Sequence, residues 1–129
     1  HLLARNPSSR QREVRFNMHP EYRLGGRAES GEDILLFPTT NGVFKLPFWI
    51  DLGERPAPAL SENWWAVADE GAGLEMRQTF SKGWDPPRIW FGGGFYNVEM
   101  SRPLVVPPGG DASAWLSWTL SPINRKDTP

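Results

Sequence analysis

The chain has 129 residues, a formal net charge of −1 and no Cys. This length is enough for one domain with its own core, and the near-zero charge argues against nucleic acid or an anionic membrane as a partner. The lack of Cys excludes disulfide scaffolds, thiol catalysis and Cys-based zinc sites. Because the chain begins at His1 rather than Met, we expect a processed protein or a fragment of a longer one.

The N-terminal residues divide into a lead-in and a first strand. Residues 1–12 are polar and basic, so we expect a flexible lead-in before a single β-sandwich domain over residues 13–122. Residues 123–129 are expected to form a tail. From Glu13 to His19 polar and apolar side chains alternate strictly, which predicts a strand that loses its regular pairing at Pro20.

The rest of the chain repeats short apolar segments separated by Gly and Pro, which number 13 each. Asn41-Gly42 predicts a tight turn, Tyr22–Gly31 a loop, and Gly53–Leu60 a Pro-rich irregular segment. Lys82–Arg88 is a further predicted loop. The predicted strands after the first are Asp33–Pro38, Val43–Leu52, Trp64–Ala68, Gly73–Phe80, Ile89–Phe91, Tyr96–Met100, Leu104–Val106 and Ala112–Thr119.

The fold class follows from this spacing. Apolar residues never recur at three and four over a long window, so no helix of ordinary length is predicted. About nine short strands with turns every 8–12 residues indicate an all-β fold, an antiparallel β-sandwich of two sheets. A small β-barrel is the competing architecture.

The first candidate site consists of His19 and Glu99, both in polar-facing positions of predicted strands. A charge within an aromatic, apolar strand must be paired, exposed or functional. If the two strands are neighbours, an imidazole and a carboxylate can act as acid and base on a bound ring. The alternative is that His19 is an ordinary surface imidazole and Glu99 pairs with an Arg.

The aromatic side chains suggest a ligand of the sugar type. The chain has seven Trp, more than a core of this size needs, and aromatic rings stack on the apolar faces of sugars. Trp84 lies in a loop, where a role in the core is least expected, and Trp90 lies on a predicted strand. Arg77, also on a strand, can aim its donors at a hydroxyl-rich ligand or pair with Glu75 or Glu99.

Three segments, taken in order, resemble the aldose 1-epimerases, the galactose mutarotase-like superfamily. Phe16–Gly26 resembles that family's Asn-His-x-Tyr-Phe-Asn-Leu-Gly stretch, and Asn63–Leu74 is similar to a hairpin of mutarotase-like proteins. Phe95–Met100, followed by Pro103–Gly110, resembles the C-terminal strand in which a Glu precedes a Leu-x-Pro-Gly turn. The family fold is a sandwich more than twice this length, so the resemblance implies a C-terminal part of it.

The resemblance also implies roles for individual residues. His19 matches the histidine that protonates the ring oxygen, and Glu99 matches the carboxylate that removes the proton of the anomeric hydroxyl. We expect Arg77, Trp84, Trp90 and Asn97 to bind the substrate on the same sheet face, with no metal or cofactor. The expected partners are a sugar or polysaccharide, and the missing half of a longer sandwich or a second copy of the chain. A non-catalytic structural or interaction domain, appended to a polysaccharide-active enzyme, is the alternative.

Overall fold

The structure is a computed structural model that describes residues 1–22, 24, 33–47, 53–92 and 95–123. These residues form twelve strands and no α-helix. Most of the predicted loop at 22–31, and the part of the second predicted strand after Pro47, lie outside the described residues. The strands are β1 (Leu2–Arg5), β2 (Arg12–Met18), β3 (Glu21–Tyr22), β4 (Asp33–Thr39), β5 (Gly42–Pro47), β6 (Gly53–Pro56), β7 (Trp64–Asp69), β8 (Leu74–Phe80), β9 (Arg88–Gly92), β10 (Phe95–Val106), β11 (Asp111–Ala114) and β12 (Leu116–Pro122).

The strands form an antiparallel β-sandwich, which confirms the predicted fold class. The front sheet has the order β2-β10-β9-β6, with β3 pairing the first half of β10. The back sheet has the order β12-β8-β7-β4-β5. The two short strands β1 and β11 pair separately with each other.

Alternation along the strands separates the core from the outer faces. In β10 the side chains of Tyr96, Val98 and Met100 are buried, and in β7 those of Trp65 and Val67 are buried. Because successive side chains of a strand point to opposite faces, these residues meet in one core between the two sheets. The intervening residues of both strands consequently lie on the outer faces of the sandwich.

Several strand boundaries differ from the sequence prediction. The strand predicted to break at Pro103 is continuous in β10, because there β10 pairs only with β2 and the missing N–H of proline disrupts no second ladder. The segment predicted to be irregular contains β6, an edge strand in which Pro56 is tolerated for the same reason. The last predicted strand is divided at Trp115, because β11 pairs with β1 and β12 with β8.

The N-terminal residues contradict the expected flexible lead-in. Leu2–Arg5 pairs in register with Asp111–Ala114, more than a hundred residues later. Asn6 follows as a buried residue, and its amide nitrogen donates to the carbonyl oxygens of Arg10 at 2.7 Å, and of Val106 and Pro107 at 3.1 Å each. The strand could not be predicted from the polar composition of the segment, because the residues that stabilise it are more than a hundred positions away in the sequence.

Replacing Asn6 with Ala is expected to lower the free energy of unfolding by about 1–3 kcal/mol, because it leaves carbonyl groups without a donor. Urea denaturation followed by Trp fluorescence measures this loss. Ser113→Ala, an exposed change on β11, is the control and should stay within about 0.5 kcal/mol of the wild type. Equal stabilities for the two variants would show that Asn6 does not hold the N-terminal segment.

Candidate functional site

The register of the front sheet places His19 opposite Glu99. Met18 is paired with Met100, and Glu21 is paired with Asn97, so the same antiparallel register holds on both sides of the His19-Pro20 step. Pro20 has no N–H and interrupts the ladder between β2 and β3 without adding a residue. Continuing that register brings His19 and Glu99 together as a cross-strand pair on the outer face.

The two side chains are in direct contact. His19 Nδ1 lies 2.7 Å from Glu99 Oε1, although the residues are separated by eighty positions in the chain. The His19 side chain is 63% exposed and that of Glu99 is 34% exposed, so the pair is open to solvent on the His19 side. The two groups therefore meet across the front sheet, and among the described residues Glu99 pairs with His19 rather than with an Arg.

The side-chain amide of Asn97 contacts the other ring nitrogen of His19, Nε2. Hydrogen bonding orients its amide: the nitrogen donates to the carbonyl oxygens of Pro20 at 3.1 Å and Tyr96 at 3.2 Å. The amide oxygen then faces His19 Nε2 at 3.0 Å and can only accept a hydrogen bond. Asn97 is almost completely buried, so its amide is a fixed acceptor at the base of the site.

The two contacts suit a ring that donates from both nitrogens. Glu99 can accept a hydrogen bond from Nδ1–H and Asn97 can accept one from Nε2–H, so the imidazolium form of His19 satisfies both partners at once. The geometry therefore provides an imidazolium with an acceptor on each side, one of them a carboxylate.

Trp90 lies beside this pair on the next strand. Its register partner on β10 is Asn97, which places it on the same outer face. The half-buried ring covers Gly92, where a Cβ would lie 2.7 Å from the ring carbon Cη2. Arg88, the register partner of Glu99, forms an ion pair with Glu54 instead. A flat aromatic side chain and the Arg88–Glu54 ion pair thus border the His19–Glu99 contact, and the ion pair was not predicted from the sequence.

Arg77 does not join this site, contrary to the expectation that it shares the face of His19 and Glu99. It lies on the outer face of the back sheet, so the back sheet and the core separate it from the front sheet. Its Nε and Nη2 lie 2.9 and 2.8 Å from Glu75 Oε1, and its guanidinium lies over the Trp64 ring at 4.2 Å. The position of Arg77 on a strand was predicted, but the pattern of a strand cannot say which of two sheets it joins.

Trp84 also lies elsewhere, which corrects its expected place beside the substrate. Its half-buried ring meets Phe80 edge-on, with the centroids 6.5 Å apart, and packs against both clusters of buried residues. Arg102 anchors the surrounding loop by donating from Nη1 to the Gly83 carbonyl at 2.7 Å. The loop folds over the core and uses its apolar ring there, so a position in a Gly- and Pro-rich segment did not make Trp84 a surface residue.

Over residues 1–22, 24, 33–47, 53–92 and 95–123, no cluster of three or more His, Asp or Glu side chains could hold a metal ion. Within the same ranges no helix is long and apolar enough to cross a membrane.

Comparison with known proteins gives information about the fold alone. No protein-family model matches the chain, and no curated protein matches it. The structure of the Slr1438 protein from Synechocystis sp. PCC 6803 is similar, with a TM-score of 0.70 and 16% sequence identity. The match covers 94% of this chain and 49% of Slr1438, so the chain spans about half the length of that protein. At this identity the likeness shows the shared β-sandwich alone.

Proposed function

We propose that the chain is a carbohydrate-binding domain of the galactose mutarotase-like type that acts on the anomeric centre of an aldose. The proposed front-sheet site consists of His19, Trp90, Asn97 and Glu99. The observation that carries the proposal is the 2.7 Å contact between His19 and Glu99, two residues eighty positions apart in the chain. The resemblance of the two segments containing these residues to aldose 1-epimerases supports the same conclusion.

The short distance between the two groups suits this chemistry. Opening the ring of an aldose requires a base at the anomeric hydroxyl O1 and an acid at the ring oxygen O5. Both oxygens are bonded to the same carbon, C1, so the acid and the base must themselves lie close together. The exposed side of His19 lets a sugar approach, and its two oxygens then replace the direct contact between the imidazolium and the carboxylate.

The proposed step moves only protons and one electron pair. Glu99 accepts the proton of O1–H, the carbonyl C1=O1 forms, the C1–O5 bond breaks, and O5 takes a proton from the imidazolium. Rotation about C1–C2 presents the other face of the carbonyl. Closure then reverses each transfer, so that His19 regains its proton and Glu99 its charge.

The neighbouring side chains serve binding in this proposal. The Trp90 ring offers an apolar face to the C–H groups of the sugar. Arg88 and Glu54, which already form an ion pair, offer donors and acceptors to hydroxyl groups. Asn97 holds the imidazole ring in the plane that Glu99 also requires, and it is therefore a positioning residue.

The test is the rate at which a pure α-anomer equilibrates, followed by optical rotation at fixed pH. The wild-type protein should accelerate equilibration of α-galactose or α-glucose, and a Trp fluorescence titration should show saturable binding of the same sugar. A chain that binds sugar without accelerating equilibration supports binding and overturns the catalytic step. Absence of both effects for galactose and glucose overturns the proposed function.

A second candidate function, a non-catalytic interaction domain, is favoured by one exposed surface. Trp118 and Leu120 are 44% and 63% exposed, although their register partners Gln78 and Met76 face the core. Within the described residues β12 pairs with β8 only, so its other edge is unpaired. We infer that a second copy of this chain covers the surface, because an outer strand can pair with its own copy about a twofold axis.

Replacing Leu120 with Lys is expected to shift such a dimer to monomer, because it places a charge in the centre of the apolar contact. Analytical ultracentrifugation at about 100 μM protein measures the change. Ser117→Lys on the opposite face of the same strand is the control and should leave the dimer intact. A wild-type chain that sediments as a monomer would contradict the interaction candidate.

A further inference from the structure

A groove of about 450 Å³ crosses the outer face of the back sheet, on the side of the sandwich away from His19. The strand register shows where the groove lies. One row of register partners crosses the sheet there and consists of Lys45, Leu36, Ala66, Arg77 and Thr119. A volume of this size lies within the range of small-molecule sites. We call this surface the back-sheet groove; its main lining residues are Ile34, Leu36, Lys45, Trp64, Glu75 and Arg77.

One wall of the groove is polar and fixed in place. Arg77 directs two nitrogens to the same oxygen of Glu75, and its guanidinium is stacked on Trp64. Trp64 is held in turn by a hydrogen bond from Nε1 to Glu62 Oε2 at 3.1 Å. These contacts use Nε and Nη2 of Arg77 and Oε1 of Glu75, and they do not involve Arg77 Nη1 or Glu75 Oε2. The wall therefore offers one donor and one acceptor side by side, which is what a hydroxyl group of a ligand requires.

The opposite wall is apolar. Ile34 and Leu36 on β4 are half-buried and face the groove, and Ala68 on β7 lies between the two walls. A ligand in the groove therefore meets aliphatic surface on one side and charged hydrogen-bonding groups on the other. A hydroxylated ring has this combination, because its C–H groups can pack on aliphatic carbon while its hydroxyl groups reach the polar wall.

Lys45 carries a positive charge on the β5 side of the groove. It is exposed and has no ion pair within the part of the chain that the structure describes, whereas Arg77 is neutralised by Glu75. Three strand spacings separate Lys45 from Arg77, or about 14 Å between their Cα atoms, and both long side chains can reach toward the middle. Glu70, the second lining carboxylate, has no ion pair within the described residues and lies at the turn after β7, at one end of the groove.

We propose that the back-sheet groove binds a uronic acid, a sugar ring that bears a carboxylate. The carboxylate pairs with Lys45, the C–H face of the ring packs on Ile34 and Leu36, and ring hydroxyls bond to Arg77 and Glu75. The assignment does not rest on the proposed chemistry at His19 and Glu99, because the two surfaces lie on opposite sheets. It gives Arg77 a sugar-binding role at a different place from the expected one.

The proposal is tested by titrating the chain with D-glucuronate, D-glucose and acetate. Glucuronate should bind with the highest affinity, glucose more weakly, and acetate without saturation, because the groove recognises ring and charge together. Lys45→Met should weaken glucuronate binding about 3- to 5-fold, the range of an exposed ion pair, and leave glucose binding unchanged. Arg77→Met should weaken the binding of both sugars about tenfold.

Lys82→Met provides the matched control, since Lys82 is an exposed lysine in the loop after β8. It should bind glucuronate as the wild type does. Amide chemical-shift changes should concentrate on β4, β5, β7 and β8. Absence of glucuronate-induced shifts on those four strands, equal affinity for glucose and glucuronate, or no loss in Lys45→Met would each overturn the assignment. A negative mutarotation assay leaves the groove untouched, so the failures of the two proposals are distinguishable.

Discussion

Replacement of Glu99 by Gln is expected to reduce the acceleration of anomeric equilibration by about 100-fold or more, the usual contribution of a positioned general base. The amide of Gln cannot accept the O1 proton at neutral pH. It also carries no charge to stabilise the imidazolium of His19, the form of the ring in which both N–H groups find an acceptor. One substitution therefore removes the base and weakens the loaded state of the acid.

Controls separate this chemical effect from a structural one. Asp111→Asn removes a carboxylate of an exposed ion pair with Arg5, 3.7 Å apart on the two-stranded sheet, and should leave the rate unchanged. Because Glu99 lies at the surface, Glu99→Gln should keep the wild-type circular dichroism and thermal midpoint. A folded Glu99→Gln protein with full activity would remove the catalytic proposal. His19→Asn should show a comparable loss, since an amide donates a hydrogen bond but not a proton.

The strands that the sequence predicted well are those whose signals are local. The β7–β8 hairpin has alternating side chains on both arms and a Gly-containing turn between them, and both arms appear within one or two residues of the predicted bounds. The tight turn before Gly42 formed as predicted, with the backbone φ of Gly42 at +105°. In these cases the pattern and the pairing partner lie within about fifteen residues of each other.

The parts that the sequence could not predict depend on partners far along the chain. β1 is polar and short, and only its pairing with β11 makes it a strand. Arg77 was predicted to lie on a strand, but its sheet depends on β8 joining β7 and β12 rather than β10. The His19–Glu99 contact was predicted through a resemblance of motifs, and the physical reason for it is the shared register on both sides of Pro20.

The largest effect on stability is expected from Trp65→Ala, which should lower the free energy of unfolding by about 3–5 kcal/mol. Trp65 is fully buried on β7 and packs in the core to which both sheets contribute. Its removal leaves a cavity that the two sheets cannot close without changing their separation. Equilibrium denaturation in urea, followed by circular dichroism because a Trp is lost, measures the change.

Trp115→Ala is the matched control, because this Trp is 41% exposed between β11 and β12. It removes the same side chain outside the core, and we expect a loss of about 1 kcal/mol or less. If Trp65→Ala does not fold, Trp65→Phe keeps an aromatic ring and should show a smaller but measurable loss. Similar losses for Trp65→Ala and Trp115→Ala would show that the contact between the two sheets does not hold the fold together, because a core that includes Trp65 must tolerate its removal far less well than the surface does.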